Sequence, residues 1–143
     1  MDTQAPHIRP YTGVIARLKS AGLRPTRQRI ALAKLLFEGE NRHVTAEDLH
    51  VEARTAGVSV SLATIYNSLH QFTEAGLMRE VVVEAGRSYF DTNTGDHHHF
   101  FHEDSGALED IPSDRINVSE LPEAPDGKKV QRVDVIVRIA GAE

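Results

Sequence analysis

The chain has 143 residues, 40% of them apolar and 26% charged, which is the composition of a globular protein able to bury a core without covalent staples. It contains no cysteine, which excludes a disulfide scaffold, a thiolate-ligated zinc site and any thiol chemistry. The formal net charge of −5 is unevenly spread, with 10 Lys/Arg against 8 Asp/Glu in residues 1–83 and 6 against 13 in residues 84–143.

An acidic total therefore leaves nucleic-acid binding open, because a local basic face is enough to hold phosphate. Residues 9–42 provide such a face: Arg9, Arg17, Lys19, Arg24, Arg27, Arg29, Lys34 and Arg42, with only Glu38 and Glu40 against them. The N-terminus has no basic leader followed by an apolar stretch, and no apolar run approaches the roughly 18 residues of a membrane helix. A soluble cytoplasmic protein that makes no membrane contact is expected.

In chain order, Val14, Ile15 and Leu18 recur at helical spacing up to Ala21-Gly22, where glycine offers a stop. After the Arg24-Pro25 break, Thr26 can cap a second helix whose inward face is Ile30, Ala33 and Phe37, with Leu36 beside it and Arg27 and Arg29 exposed at its start. Thr45 followed by Asp48 resembles a capping box, and Leu49, Ala53 and Ala56 continue a third helix to Gly57. Ser59-Val60-Ser61 supplies a turn and a cap for a fourth helix. Its inward face is Leu62, Ile65, Leu69 and Phe72, and its other face shows Ala63, Tyr66, Asn67 and His70.

Arg79–Val83 and Arg87–Asp91 are rich in β-formers and are separated by Glu84-Ala85-Gly86, a hairpin pattern. Short helices followed by a hairpin describe a winged helix-turn-helix, in which the last helix enters the major groove. Tyr66 and Asn67 would then meet base edges.

Four of the eight histidines fall within six residues, His97, His98, His99 and His102. On a strand, neighbours alternate faces, so His97 and His99 point one way and His98 the other. Asp91, Asp96, Asp104, Glu109 and Asp110 add oxygen donors, and a nitrogen and oxygen donor set without sulfur suits Fe(II), Mn(II) or Zn(II). His43, just before the third helix, is the one distant histidine placed to close such a site, whereas His7, His50 and His70 are expected at the surface. Ala107–Ile111 reads as a partner strand. Residues 112–127 read as loop with at most a short helix near Asp114–Leu121, and Val133, Val135, Val137 and Ile139 alternate in a last strand. Three strands on so little chain leave a face and edges for a homodimer to cover.

The stretches AGLRPTRQRIALAKLL, HVTAEDLH, SLATIYNSLHQFTEAGL and YFDTNTGDHHHFF resemble the ferric uptake regulator superfamily, and the HHHFF run resembles its iron response regulators of rhizobia and related α-proteobacteria. The resemblance covers about residues 14–140. It implies an α+β protein, with a winged-helix DNA-binding domain over residues 1–92 and a small α/β dimerisation and metal/haem-sensing domain with a three-stranded sheet over residues 93–143. Its regulatory metal site falls on His43, Asp91, His97, His99 and Asp110, implying one divalent metal per subunit (Fe, Mn or Zn). The structural zinc site of the superfamily cannot form without cysteine, and Ser105 stands where one such cysteine would be. The second surface site keeps Asp96 and His98, while its later ligands align with Asn117 and Val133.

The resemblance also implies haem as the signal, held here by the His97-His98-His99 run because no Cys-Pro motif is present, with a haem-delivering enzyme as a partner. The implied role is a regulator of iron homeostasis and haem biosynthesis genes, active on DNA at low iron. On DNA it places Tyr66 against thymine methyls, Asn67 at a base edge, Arg24 towards the minor groove of an A·T-rich palindromic operator, and Arg27 and Arg29 on phosphates. The same five metal ligands also resemble those of the superfamily's peroxide and manganese/iron sensors. A histidine-carboxylate site can serve an enzyme too. However, no acid, base or nucleophile is placed around an inferable substrate pocket, so catalysis is not expected.

Overall fold

The computed structural model describes residues 11–142, so Arg9 and His7 lie outside the described residues. The chain separates into two compact units, one ending at Thr94 and the other beginning at Gly95. Among the described residues the first holds four α-helices and a small sheet and the second a sheet with one 3₁₀ turn, so the fold is α+β.

In the first unit, α1 (Thr12–Ser20), α2 (Arg27–Phe37), α3 (Ala46–Thr55) and α4 (Leu62–Glu74) form where local signals start and stop them. Thr26, Thr45 and Ser61 each accept a hydrogen bond from the backbone N–H three residues on, which satisfies a donor that the helix itself leaves unpaired. At Thr45 the box is reciprocal, since Asp48 Oδ2 accepts from the Thr45 N–H at 3.1 Å. The α4 terminus shows how the helices stop. Gly76 adopts φ +83°, the Leu77 N–H reaches back to the Phe72 carbonyl at 2.9 Å, and the Gly76 N–H reaches the Thr73 carbonyl at 3.0 Å. Only glycine takes that left-handed position at no steric cost.

The core joins Leu18, Leu32, Leu36, Leu49, Ile65, Leu69, Phe72 and Phe90, each at most 1% exposed. The inward face of α2 differs from the expected one. Leu32, Ala33 and Leu36 are buried, whereas Ile30 and Phe37 are half-buried and pack on the core margin. The helix RQRIALAKLLF is apolar over most of its circumference, so two stripes satisfy the helical period and only packing selects between them. Ala56, expected to continue the third helix, is its exposed C-cap, one residue beyond the end of α3.

The hairpin forms as read, with β2 (Arg79–Glu84) antiparallel to β3 (Arg87–Asp91). A third strand, β1 (His43–Val44), was not anticipated. It is two residues long and pairs with the other edge of β3, giving the order β1-β3-β2. Thr92 secures this short pairing, its N–H donating to the Arg42 carbonyl at 3.0 Å and its hydroxyl oxygen accepting from the Arg42 N–H at 2.9 Å.

In the second unit, β4 (His97–His102) is central, antiparallel to β5 (Leu108–Pro112) and parallel to β6 (Ile136–Ile139). The alternating burial of β4 matches the expected alternation: His97, His99 and Phe101 are buried, and His98, Phe100 and His102 are half-buried. The last strand starts at Ile136 rather than Val133, and the stretch after β5 is loop apart from a single 3₁₀ turn at Ser113–Arg115, within the expected limit of a short helix. Pro112, Pro122 and Pro125 explain the absence of longer structure, since each lacks a backbone donor. Among the described residues no helix is long and apolar enough to cross a membrane.

Candidate functional site

Among the described residues, the histidines and carboxylates expected to hold metal come together at the β1–β3 pairing and on β4 and β5. In the first unit, β1 pairing places His43 directly opposite Asp91 in the register, and His43 Nε2 lies 3.3 Å from Asp91 Oδ2. Asp91 is 1% exposed. Its other oxygen, Oδ1, accepts from the Asn93 N–H at 2.8 Å, which fixes the carboxylate in orientation. A carboxylate this deeply buried is costly without a cationic partner, and His43 on β1 and Arg79 on β2 are its cross-strand neighbours.

In the second unit, register puts His99 opposite Asp110, and His97 lies two residues along the same face of β4. Both Nε2 atoms stand 3.5 Å from the same Asp110 Oδ1, and the two rings meet edge-on at 4.6 Å between centroids. The chemistry of His97 is set by its other nitrogen. Nδ1 lies 2.6 Å from the Gly95 carbonyl, which can only accept. In the neutral ring the proton therefore sits on Nδ1 and the Nε2 lone pair faces Asp110, as in imidazoles that ligate metal. The two ring nitrogens and the carboxylate oxygen together form a converging donor set that a cation can satisfy. These nitrogen and oxygen donors fit a divalent first-row metal.

His98 faces the opposite side of β4. Its Nδ1 accepts from the Val135 N–H at 3.1 Å, so its Nε2 carries the proton. The three consecutive histidines are thus divided between two faces, and they do not converge on one point. On the His98 side, Asp96, His98, Ile116, Leu121 and Val133 line a cavity of about 240 Å³. Of the second-site positions, valine at 133 offers no donor atom.

The DNA-facing expectations concern the first unit. Tyr66 and Asn67 are exposed on the outer face of α4, Arg27 is exposed in the first turn of α2, and Arg24 is exposed before it. Arg29 departs from the expectation of an exposed base. It is half-buried, with Nη1 donating to the Arg24 carbonyl and Nη2 donating to Gln71 Oε1, both at 3.0 Å. One guanidinium thereby fastens the loop before α2 to α4. His70 is exposed as expected, whereas His50 is half-buried with Nε2 3.1 Å from the Val60 carbonyl.

Two contacts escaped the reading of the sequence, the first of them engaging Arg42 of the expected basic face. Arg42 forms a paired ion bridge with Glu52 that holds the start of β1 against α3, and this contact raises the Arg42 guanidinium above its usual range. Glu47 accepts from the Tyr66 hydroxyl at 3.1 Å. The only trace of either in the sequence is the position of Glu47 and Glu52 on the third helix, which does not reveal a partner on another element.

The ferric uptake regulator family model matches residues 20–138. The chain belongs to the ferric uptake regulator family. It is 36% identical over 104 residues to the ferric uptake regulation protein of Shigella flexneri, covering 72% of this chain and 70% of that protein. To the peroxide-responsive repressor of Staphylococcus aureus it is 34% identical over 106 residues, covering 74% and 71%. Its fold is similar to the ferric uptake regulator of Pseudomonas aeruginosa solved with manganese, with a TM-score of 0.67 and 25% identity over 90% of this chain and 97% of that one. Members of this family are transcription regulators and not enzymes.

Proposed function

We propose that this chain is a dimeric, iron- and haem-responsive DNA-binding regulator of iron homeostasis and haem biosynthesis genes, engaged on DNA when iron is scarce. The observation that carries the reading is the pair of donor groups on either side of Thr94-Gly95: His43 with Asp91, and His97 and His99 with Asp110. In this reading all five hold one divalent ion, which when bound supplies free energy favouring one arrangement of the two units. Because the ligands are divided between the units, metal affinity and DNA affinity bias each other reciprocally.

The first unit is read as the winged-helix DNA-binding domain and the second as the dimerisation domain. Tyr66 and Asn67 would approach bases, Arg24 the minor groove of an A·T-rich palindrome, and Arg27 a phosphate. Arg29 supports this surface through Gln71 and the Arg24 carbonyl. The HHHFF run, as it resembles that of iron response regulators, is the basis for haem as the signal. Haem taking His97 or His99 would withdraw that ligand from Asp110, while His98 stands on the other face and would serve separately.

A titration of the full chain with haem and with Mn(II), followed by absorbance and by gel shift on an A·T-rich palindrome, tests this, with H97A/H98A/H99A alongside. A Soret band lost in the variant, with DNA released by haem, supports the haem reading. Metal-dependent DNA binding without haem binding contradicts it. That result would favour the second reading, a peroxide- or manganese/iron-sensing repressor, which the three-histidine, two-carboxylate donor set supports. Peroxide sensing predicts the addition of one oxygen atom to His43 or His97 after Fe(II) and peroxide, read by peptide mass spectrometry.

A further inference from the structure

We propose that Glu47 is a specificity-determining positioning residue of the recognition surface: its carboxylate holds the Tyr66 hydroxyl and presents an acceptor beside it to the amino group of a cytosine. The inference rests on the reading of α4 as the helix that meets base edges.

The geometry holds Tyr66 from both sides. Its hydroxyl donates to Glu47 Oε2 at 3.1 Å across from α4 to the first turn of α3. One helical turn along, His70 stacks on the ring at 6.5 Å between centroids with planes 20° apart. His70 in turn stands edge-on to Phe90 of β3 at 5.5 Å. A tyrosine on an exposed helix face ordinarily samples several rotamers. Here a hydrogen bond at the tip and a stacked ring along the side select one, and the chain of rings ends on a core residue that is 1% exposed.

Glu47, Tyr66, His70, Glu80 and Arg87 are among the residues lining a cleft of about 410 Å³ between α3, α4 and the hairpin. Glu47 is exposed there, and its contact with the phenol is the main cause holding the Tyr66 hydroxyl above the usual tyrosine range.

The chemistry of the carboxylate defines what it recognises. An ionised carboxylate only accepts, and its two oxygens offer about four lone-pair positions. The phenol uses one of them. A base edge presenting an N–H donor is therefore accommodated, whereas guanine O6 and N7, thymine O4 and phosphate oxygens are repelled. In the major groove cytosine N4 and adenine N6 both present such a donor, but adenine carries the N7 acceptor beside its amino group, which repels the second carboxylate oxygen, so a carboxylate pairs with cytosine N4. Glu47 is thus unlike Arg27, whose charge favours any sequence equally.

The test is selection of binding sites from a randomised duplex pool by the full-length protein, comparing wild type, E47Q, E47A and Y66F, with ultraviolet titration of the phenols in the DNA-free chains. The isosteric E47Q guards against misfolding as a trivial cause. Wild type is expected to enrich a cytosine at one position of each half-site. E47A should lose that preference by roughly 5- to 100-fold, and E47Q, which keeps an amide oxygen but adds a donor, should lose part of it, while neighbouring positions keep theirs. In the titration, the phenol absent from Y66F should ionise at lower pH in E47A than in wild type. A wild-type motif that the Glu47 variants select unchanged, or an equal loss of affinity on all sequences, overturns the role of Glu47 alone. A wild type that selects no motif overturns the reading of α4 as well.

Discussion

Asp91→Asn isolates the metal reading at its most buried donor. The substitution keeps the shape of the side chain and retains an oxygen for the Asn93 N–H, but it removes the negative charge opposite His43. If changing this group weakens metal binding by about 100-fold, the upper end of the 10–100-fold range for groups supporting a metal site, the effect on stability follows from mass action. At a free Mn(II) concentration 100 times the wild-type dissociation constant, wild type gains about 2.7 kcal/mol and D91N about 0.4 kcal/mol. The difference of about 2.3 kcal/mol corresponds to roughly 5–10 °C in Tm for a chain of this size. Differential scanning calorimetry with and without Mn(II) reads the metal-induced increment directly, so any effect of the substitution on the metal-free protein cancels. Glu103→Gln, an exposed acid paired with Arg138, serves as the control and should keep the full increment. An equal increment in D91N and wild type would refute Asp91 as a ligand and leave it a structural carboxylate.

Further outcomes are expected at other levels of the structure. Tyr66→Ala should cost about 1–3 kcal/mol on the specific operator and little on random DNA, and Arg27→Ala should weaken both alike with a salt slope shallower by about one, as read by anisotropy over a salt series. Ser61→Ala removes the acceptor of the Thr64 N–H and should lower stability by about 1 kcal/mol in urea unfolding; an unchanged midpoint would exclude the cap as a determinant. The raised ionisation of Tyr66 sets a direction with pH. The Tyr66–Glu47 contact contributes fully below the ordinary phenol range and is lost as pH rises through the raised value. Wild type should thus lose its stability advantage over Y66F only in strongly alkaline solution, as checked by paired melts across that range.

What the sequence revealed and what it left hidden divides by the range of the interaction. Helix limits were legible because Thr26, Thr45 and Ser61 act on backbone groups three residues away and Gly76 acts on its own turn. The separation of His98 from His97 and His99 was legible because strand alternation needs no partner. Pairing across elements was not. The two-residue β1 carries too few residues for any period, and it exists because Thr92 and β3 hold it. The phase of α2 was ambiguous because its apolar residues nearly encircle it, and the packing of α1 and α3 against it decides for Leu32 over Ile30. Arg29 reads as a surface base until Gln71, 42 residues away, is seen to accept from it. Glu47 and Tyr66, 19 residues apart, are likewise joined only once α3 and α4 pack.

The central claim is that His43 and Asp91 act with His97, His99 and Asp110 on a single ion that governs DNA affinity. The most direct measurement is the Mn(II) dependence of operator binding by fluorescence anisotropy, for wild type, H43A and H99A. The account predicts that loss of a ligand from either unit abolishes the metal effect on DNA affinity to the same extent. A full metal effect retained in H43A and lost in H99A would confine the ion to the second unit and contradict it.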